Sequence, residues 1–170
     1  ALGLARTFQL LRLYQDMSVI NNVMSGYHTK VPYSFAAAVL GRKKIWDHEK
    51  KIKEEMMELL SFVGLADFAE MNASELSGGQ RRLLVLARAI AGKPKLLMLD
   101  EPAAGLSPHN VDNLMKIIMQ LKDKYGLTLI IIEHILKVVM DTCDTVTVFD
   151  HGQKIAEGAP AKVKDDNAVI

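Results

Sequence analysis

The chain has 170 residues, 49% hydrophobic and 24% charged, the balance of an ordinary folded domain, which excludes collagen-like, coiled-coil and disordered classes. Its 21 Lys and Arg against 20 Asp and Glu leave a net charge of +1, so no basic field marks a nucleic-acid partner. One cysteine, Cys143, excludes an internal disulfide framework and a Cys-rich zinc site, and apolar runs such as Leu127 to Ile132 are too short for a membrane-spanning helix.

Gly3 to Phe8 is a short apolar segment, followed by Gln9 and a polar stretch through Asp16. Ser18 is placed to cap a short helix carrying Val19, Val23 and Met24. Gly26 to Pro32 reads as loop, Ser34 to Leu40 as an Ala-rich helix, and Gly41 to Lys44 as a basic turn. Asp47 is placed to cap a long helix whose apolar face carries Ile52, Met56, Leu59, Leu60 and Val63, and Gly64 stops it. The next helix runs from about Gly79 to Ala91, with Leu83, Leu84, Ala87 and Ile90 inward and Gly92 and Pro94 at its end. Lys95 to Leu99 suits a strand buried on both faces of a parallel sheet and leads into Asp100-Glu101-Pro102. Pro108 opens a helix that reaches Tyr125, where Gly126 ends it. Leu127 to Ile132 is a second buried strand, ending at Glu133-His134. A short helix with Ile135, Val138 and Val139 follows. Thr145 to Phe149 and Gln153 to Glu157 are two more strands, joined at Asp150-His151-Gly152, and a last helix starts near Pro160. The first half is mostly helical; the second alternates helix and strand, which implies a parallel α/β sheet with right-handed crossovers.

Four features carry chemistry. Ser77-Gly78-Gly79-Gln80 opens a helix, where two glycines let backbone N–H groups approach a ligand and the helix N-terminus suits a phosphate. The same residues also make an ordinary turn and cap. Asp100 and Glu101 follow an apolar strand, and ligands in open α/β sheets sit beyond the carboxyl ends of strands. One carboxylate there can reach a Mg²⁺, and the other can orient or deprotonate a water; alternatively the pair only caps the following turn. His134 ends the next strand, where it can bond a terminal phosphate oxygen and hold the catalytic carboxylate, or be structural. Gln9 can ligand a metal or bond a water.

Taken in order, these motifs resemble those of ATP-binding cassette (ABC) ATPases along essentially the whole chain. Leu76-Ser77-Gly78-Gly79-Gln80 is similar to the signature motif, and Leu96-Leu97-Met98-Leu99-Asp100-Glu101-Pro102 to the Walker B motif with its following glutamate. Ala104-Gly105-Leu106-Ser107-Pro108 stands at the D-loop, Gln9 at the Q-loop and His134 at the switch histidine. Ala5-Arg6-Thr7-Phe8-Gln9, Met17 to Val23 and Ile155-Ala156-Glu157-Gly158 further resemble the ATPase subunits of branched-chain amino-acid importers. Importers of urea or short amides and the lipopolysaccharide-export ATPase look similar.

The resemblance implies a P-loop NTPase-like (RecA-like) α/β fold, a partial parallel sheet with an inserted, mostly α-helical subdomain. Residues 1–17 would be the Q-loop segment of the ATPase core, 18–75 the helical signalling subdomain, and 76–170 the signature helix and C-terminal part of the core. ATP and Mg²⁺ are the implied cofactors. Asp100 supports the metal, Glu101 polarises the attacking water, His134 contacts the γ-phosphate, and Gln9 links metal or water to the transmembrane partner. Ser77, Gly78, Gly79 and Gln80 clamp the γ-phosphate bound mainly by a second ATPase subunit in a head-to-tail dimer. Ser107 stands where the D-loop more often carries Asp and bonds across that dimer in a manner left open. The other implied partners are transmembrane permease subunits and, indirectly, a periplasmic or extracellular solute-binding protein, with the chain peripheral on the cytoplasmic face of the cell membrane and no nucleic acid bound.

A P-loop needs Gly-x-x-x-x-Gly-Lys followed by Ser or Thr. The Gly-Lys of these 170 residues, Gly92-Lys93, precedes Pro94 and lacks the first glycine. The chain therefore reads as starting after the phosphate-binding loop and the adenine-stacking aromatic. The expectation is a sheet open between the His134 strand and the Thr145–Phe149 strand, and weak ATP binding without turnover by the chain alone. The alternatives are a soluble, non-transport ABC ATPase and a P-loop-less fragment acting as a binding or regulatory module.

Overall fold

The computed structural model describes residues 3–7, 13–27, 42–166 and 169. Strand β1 (Leu4–Arg6) precedes helix α1 (Val19–Tyr27) and the long helix α2 (Arg42–Phe62). Two short 3₁₀ turns, Ala66–Phe68 and Ala73–Glu75, lead to helix α3 (Gly78–Ala91). There follow β2 (Leu96–Asp100), α4 (Pro108–Tyr125), β3 (Thr128–Ile132), α5 (Leu136–Thr142), β4 (Val146–Asp150), β5 (Gln153–Gly158) and α6 (Pro160–Lys164).

β2 lies between β1 and β3 and is parallel to both. The register sets Arg6 opposite Met98 and Asp100 opposite Ile132, so the carboxyl ends of β2 and β3 are level. Side chains alternate between faces along each strand. Leu97 and Leu99 are buried on the helix-covered face, where Leu99 lines one recess together with Val85 and Leu86 of α3 and Leu114 and Ile118 of α4. The other face is open: Ile130 and Ile132 of β3 are 45% and 55% exposed, and Leu4 of β1 is exposed too. The expectation that both strands are buried on both faces is corrected for β3, because no described segment covers that face.

The C-terminal strands depart from the parallel reading in one respect, the sense of their pairing. β4 pairs antiparallel with β5 in a separate hairpin and does not pair with β3. The turn explains the antiparallel pairing of β4 with β5. His151 and Gly152 have φ of 46° and 79°, two consecutive left-handed residues whose backbone twist matches that of a tight antiparallel hairpin. The gap between β3 and β4 is where an open sheet was expected. Helix α2 begins at Arg42, so Asp47 lies inside it and is not its cap; the Arg and Lys residues of the expected basic turn are good helix formers and become its first turn. Gly26 and Tyr27 belong to α1, not to a loop. The Ala-rich segment Ser34–Leu40 lies outside the described residues.

One apolar core runs from Val19, Ile20 and Val23 of α1 through Leu60 of α2 and Leu84 and Ile90 of α3 to Leu97 and Ile118. Val146, Ala156 and Val163 form a smaller cluster beneath the hairpin. Asn22 is fully buried in the large core. Its Nδ2 donates to the carbonyls of Tyr14, Met17 and Ser18 at 3.0, 3.2 and 3.1 Å, and its Oδ1 accepts from the Tyr14 N–H at 3.0 Å. One side chain thus satisfies a stretch of irregular backbone that would otherwise be buried unpaired.

α1 crosses α3 at Gly26, where a Cβ would overlap the carbonyl oxygen of Arg88. The neighbour is helix backbone and cannot move aside. Gly26→Ala is therefore expected to destabilise the fold by about 1–3 kcal/mol through overpacking. Urea unfolding measures it, and an unchanged midpoint contradicts the close crossing.

Candidate functional site at the carboxyl ends of the parallel strands

Asp100 closes β2 on the open face of the sheet. Its Oδ2 accepts a hydrogen bond from Nη2 of Arg6 at 2.9 Å. Arg6 sits on the same face one register step back, which is why the pair can form; the sequence gives no sign of it because the pairing of β1 with β2 is tertiary. Glu101 leaves the strand with φ of 45°, a left-handed backbone rare outside glycine. Its N–H donates to the Ile132 carbonyl at 2.9 Å, and its own carbonyl accepts from Ala104 N–H at 3.2 Å. Strained backbone of this kind persists where surrounding contacts over-determine it, and it gathers at functional sites.

β3 ends beside this turn. The Glu133 carboxylate is fully buried, with Oε1 accepting from the Ala103 N–H at 2.7 Å and Oε2 from the His134 N–H at 3.2 Å. The His134 imidazole is 66% exposed. Its Nδ1 lies 3.9 Å from Oε1 of Glu101 and 3.8 Å from Oε2 of Glu133. These separations are too long for hydrogen bonds but short enough for an ion pair once the ring is protonated. Asp100, Glu101 and His134 are thus brought together at one end of the sheet.

The start of α3 forms a capping box. Ser77 Oγ accepts from the Gln80 N–H at 3.4 Å, and Gln80 Oε1 accepts from the Ser77 N–H at 2.9 Å. The Gln80 side chain therefore folds back onto its own helix. Gly78 and Gly79 are different: a Cβ at either would meet nothing within 4 Å. The chain's own packing does not require glycine there, and the space above the helix N-terminus is open. Arg82, one turn on, donates from Nη1 to the Pro102 carbonyl at 2.7 Å and so ties α3 to the turn after Glu101. A recess of about 40 Å³ between Thr7, Arg82, Asp100 and Glu101 has room for water but not for a nucleotide. Ser107 is exposed at the start of α4, and its side chain makes no capping hydrogen bond. Gln9 lies outside the described residues.

Among the described residues no group of three or more His, Cys, Asp or Glu is arranged to hold a metal ion. Mg²⁺ commonly takes one or two carboxylates and fills its shell with phosphate oxygens and water. Asp100, with Oδ2 on Arg6, fits that single-carboxylate share.

The sequence profile of the family described as ABC transporter matches residues 3–104. The chain belongs to the ABC transporter family. It is 35% identical over 168 residues to the high-affinity branched-chain amino acid transport ATP-binding protein BraF of Pseudomonas aeruginosa, and 32% identical over 169 residues to LivG of Escherichia coli, which bears the same description. Each alignment covers 99% of this chain and 66% of the relative, so the chain spans about two thirds of their length. The methionine import ATP-binding protein MetN of Carboxydothermus hydrogenoformans is 41% identical over 114 residues, 67% of this chain and 34% of that protein. Among solved structures, a nucleotide-free ATP-binding cassette from an ABC transporter is 34% identical, with a TM-score of 0.77 over 98% of this chain and 66% of its own. The three-stranded parallel sheet and its helices are thus part of the P-loop NTPase-like fold of an ABC cassette.

Removing the Arg82 guanidinium in Arg82→Ala leaves the half-buried Pro102 carbonyl without its charged donor, at an expected cost of about 1–3 kcal/mol. Denaturant unfolding checks this, and a change below the error of the measurement contradicts a structural role for the link.

Proposed function

We propose that this chain is the hydrolytic part of the ATPase subunit of an ABC importer, one that serves branched-chain amino acids. The observation that carries the reading is the meeting of Glu101 and His134 at the ends of adjacent parallel strands, 3.9 Å apart, with Asp100 beside them. Phosphoryl transfer needs positioning and charge stabilisation more than covalent chemistry, and these groups supply both. Asp100 holds the metal side of the nucleotide; bound Mg²⁺ neutralises charge on the phosphate oxygens. Glu101 orients and polarises the attacking water. His134 donates to a γ-phosphate oxygen, and Gln9 links metal or water to the membrane partner.

Ser77, Gly78, Gly79 and Gln80 clamp the γ-phosphate of ATP held mainly by a second ATPase subunit, head to tail. The open space above Gly78 and Gly79 at the helix N-terminus supports this, with backbone N–H groups acting where the Gln80 side chain is engaged in its cap. Ser107 offers its hydroxyl across the same dimer. Residues 18–75 form the signalling part that touches the permease subunits; residues 1–17 and 76–170 belong to the ATPase core. A solute-binding protein acts through the permease. The chain sits peripherally on the cytoplasmic face of the membrane; no helix among the described residues is long and apolar enough to cross it. The amino-acid assignment rests on BraF and LivG, whose alignments cover nearly all of this chain, against the shorter match to the methionine importer.

The sheet adds a condition. Thr128 N–H donates to the Lys95 carbonyl and the Ile132 carbonyl accepts from Glu101 N–H, so by parallel alternation the Leu129 and Ile131 N–H groups point away from β2. A further strand between β3 and β4 satisfies them, and a phosphate-binding loop carried outside these 170 residues completes the site. The chain alone accordingly binds ATP weakly and does not turn it over.

In the assembled ATPase, Glu101→Gln is expected to lower kcat by about 10²–10⁴-fold, the usual contribution of a positioned base, while ATP binding persists. Steady-state phosphate release and equilibrium nucleotide binding measure the two effects, and turnover at the wild-type rate overturns the reading.

A further inference from the structure

We propose that Glu133 is a positioning residue, whose buried carboxylate locks the turn after Glu101 to the loop carrying His134 so that the two catalytic groups keep one geometry. Its catalytic meaning rests on the ATPase reading above, whereas the lock itself rests on geometry alone.

Burying a carboxylate is costly unless it is hydrogen-bonded or paired, and an apolar side chain fills a buried position more cheaply. The Glu133 side chain is nevertheless wholly buried, although its backbone is partly exposed, so its charge calls for an explanation. The two oxygens provide it. One accepts the Ala103 N–H at 2.7 Å, two residues after Glu101; the other accepts the His134 N–H at 3.2 Å. Bonds of this charge-assisted kind are stronger than neutral ones. A carboxylate can accept both N–H groups at once. An amide of the same size has one oxygen, and its NH₂ must face the second donor.

The location gives the lock its consequence. Glu101 has a left-handed backbone, and its own N–H is already fixed to the Ile132 carbonyl. The bond from Ala103 to Glu133 fixes the turn a second time, two residues further along. Ala103 is itself completely buried, so the turn cannot slide without breaking that bond. The same carboxylate then holds the backbone of His134. A shift of either loop by about 1 Å is enough to spoil catalytic alignment.

The experiment uses Glu133→Ala and Glu133→Gln in the assembled ATPase, with amide hydrogen exchange and ATP kinetics measured on the same samples. In Glu133→Ala the Ala103 and His134 amides are expected to exchange about 10–100-fold faster together, with α4 amides unchanged. The same variant is expected to lose about 10-fold or more in kcat, with KM for ATP within about two-fold. Glu133→Gln keeps one acceptor, so it should protect one of the two amides and recover part of kcat. Unchanged exchange at Ala103 in Glu133→Ala overturns the proposal, as does a rise in KM at constant kcat. Faster exchange throughout α4 also overturns it, because Glu133 is then a general core residue. If Glu133→Ala fails to fold, Glu133→Gln decides by whether exactly one amide loses protection or neither does. If wild-type protein shows no ATP turnover, the ATPase reading fails by itself, and the exchange data still decide the lock.

Discussion

Strand β2 is hydrogen-bonded along both edges, to β1 on one side and β3 on the other, and its carboxyl end is therefore held from two directions. A strand so held cannot shift register without losing both ladders and moving its apolar face away from the core. Leu97 and Leu99 anchor that face against α3 and α4. What β2 delivers at its end, Asp100 and then Glu101, is thereby placed relative to Arg6 from β1 and His134 from β3. The site is a consequence of pairing three short parallel strands in one register.

Three carboxylates share this corner, and their surroundings separate them. Asp100 is partly exposed and paired with an arginine. Glu101 is partly exposed and faces an imidazole. Glu133 is buried and bonded to backbone N–H groups. A group on the open face can exchange its partner for a metal or a substrate, whereas a buried carboxylate fixed to backbone cannot do so without breaking the fold around it. The first two suit chemistry and the third suits alignment.

Much of this was legible in the sequence because local physics decides it. Ser77 and Gln80 form a reciprocal cap, and Gly126, at φ of 61°, ends α4 with a left-handed residue. Asp100, Glu101 and His134 announced themselves by closing apolar strands. The misses are tertiary. The turn Asp150-His151-Gly152 that joins β4 to β5 is visible in the sequence, but the antiparallel pairing across it, set by the left-handed backbone of His151 and Gly152, departs from the parallel sheet that the helix–strand alternation implies. Arg6 and Arg82 act on carboxyl and carbonyl groups 94 and 20 residues away, beyond the reach of local pattern. Glu133 stands beside His134 at the strand's end, and nothing in a Glu-His pair says that the first residue points inward.

The open face of β1 and β3, with Leu4, Ile130 and Ile132 exposed, lies on the side of the sheet that carries Asp100, at the end where Glu101 and His134 meet. On the proposed function these 170 residues supply hydrolytic groups while the grip on the phosphates comes from elsewhere. Phosphate release by the purified, monomeric 170-residue chain in Mg²⁺ and ATP tests this most directly. The account predicts no release above a protein-free control. Sustained turnover by the monomer contradicts it.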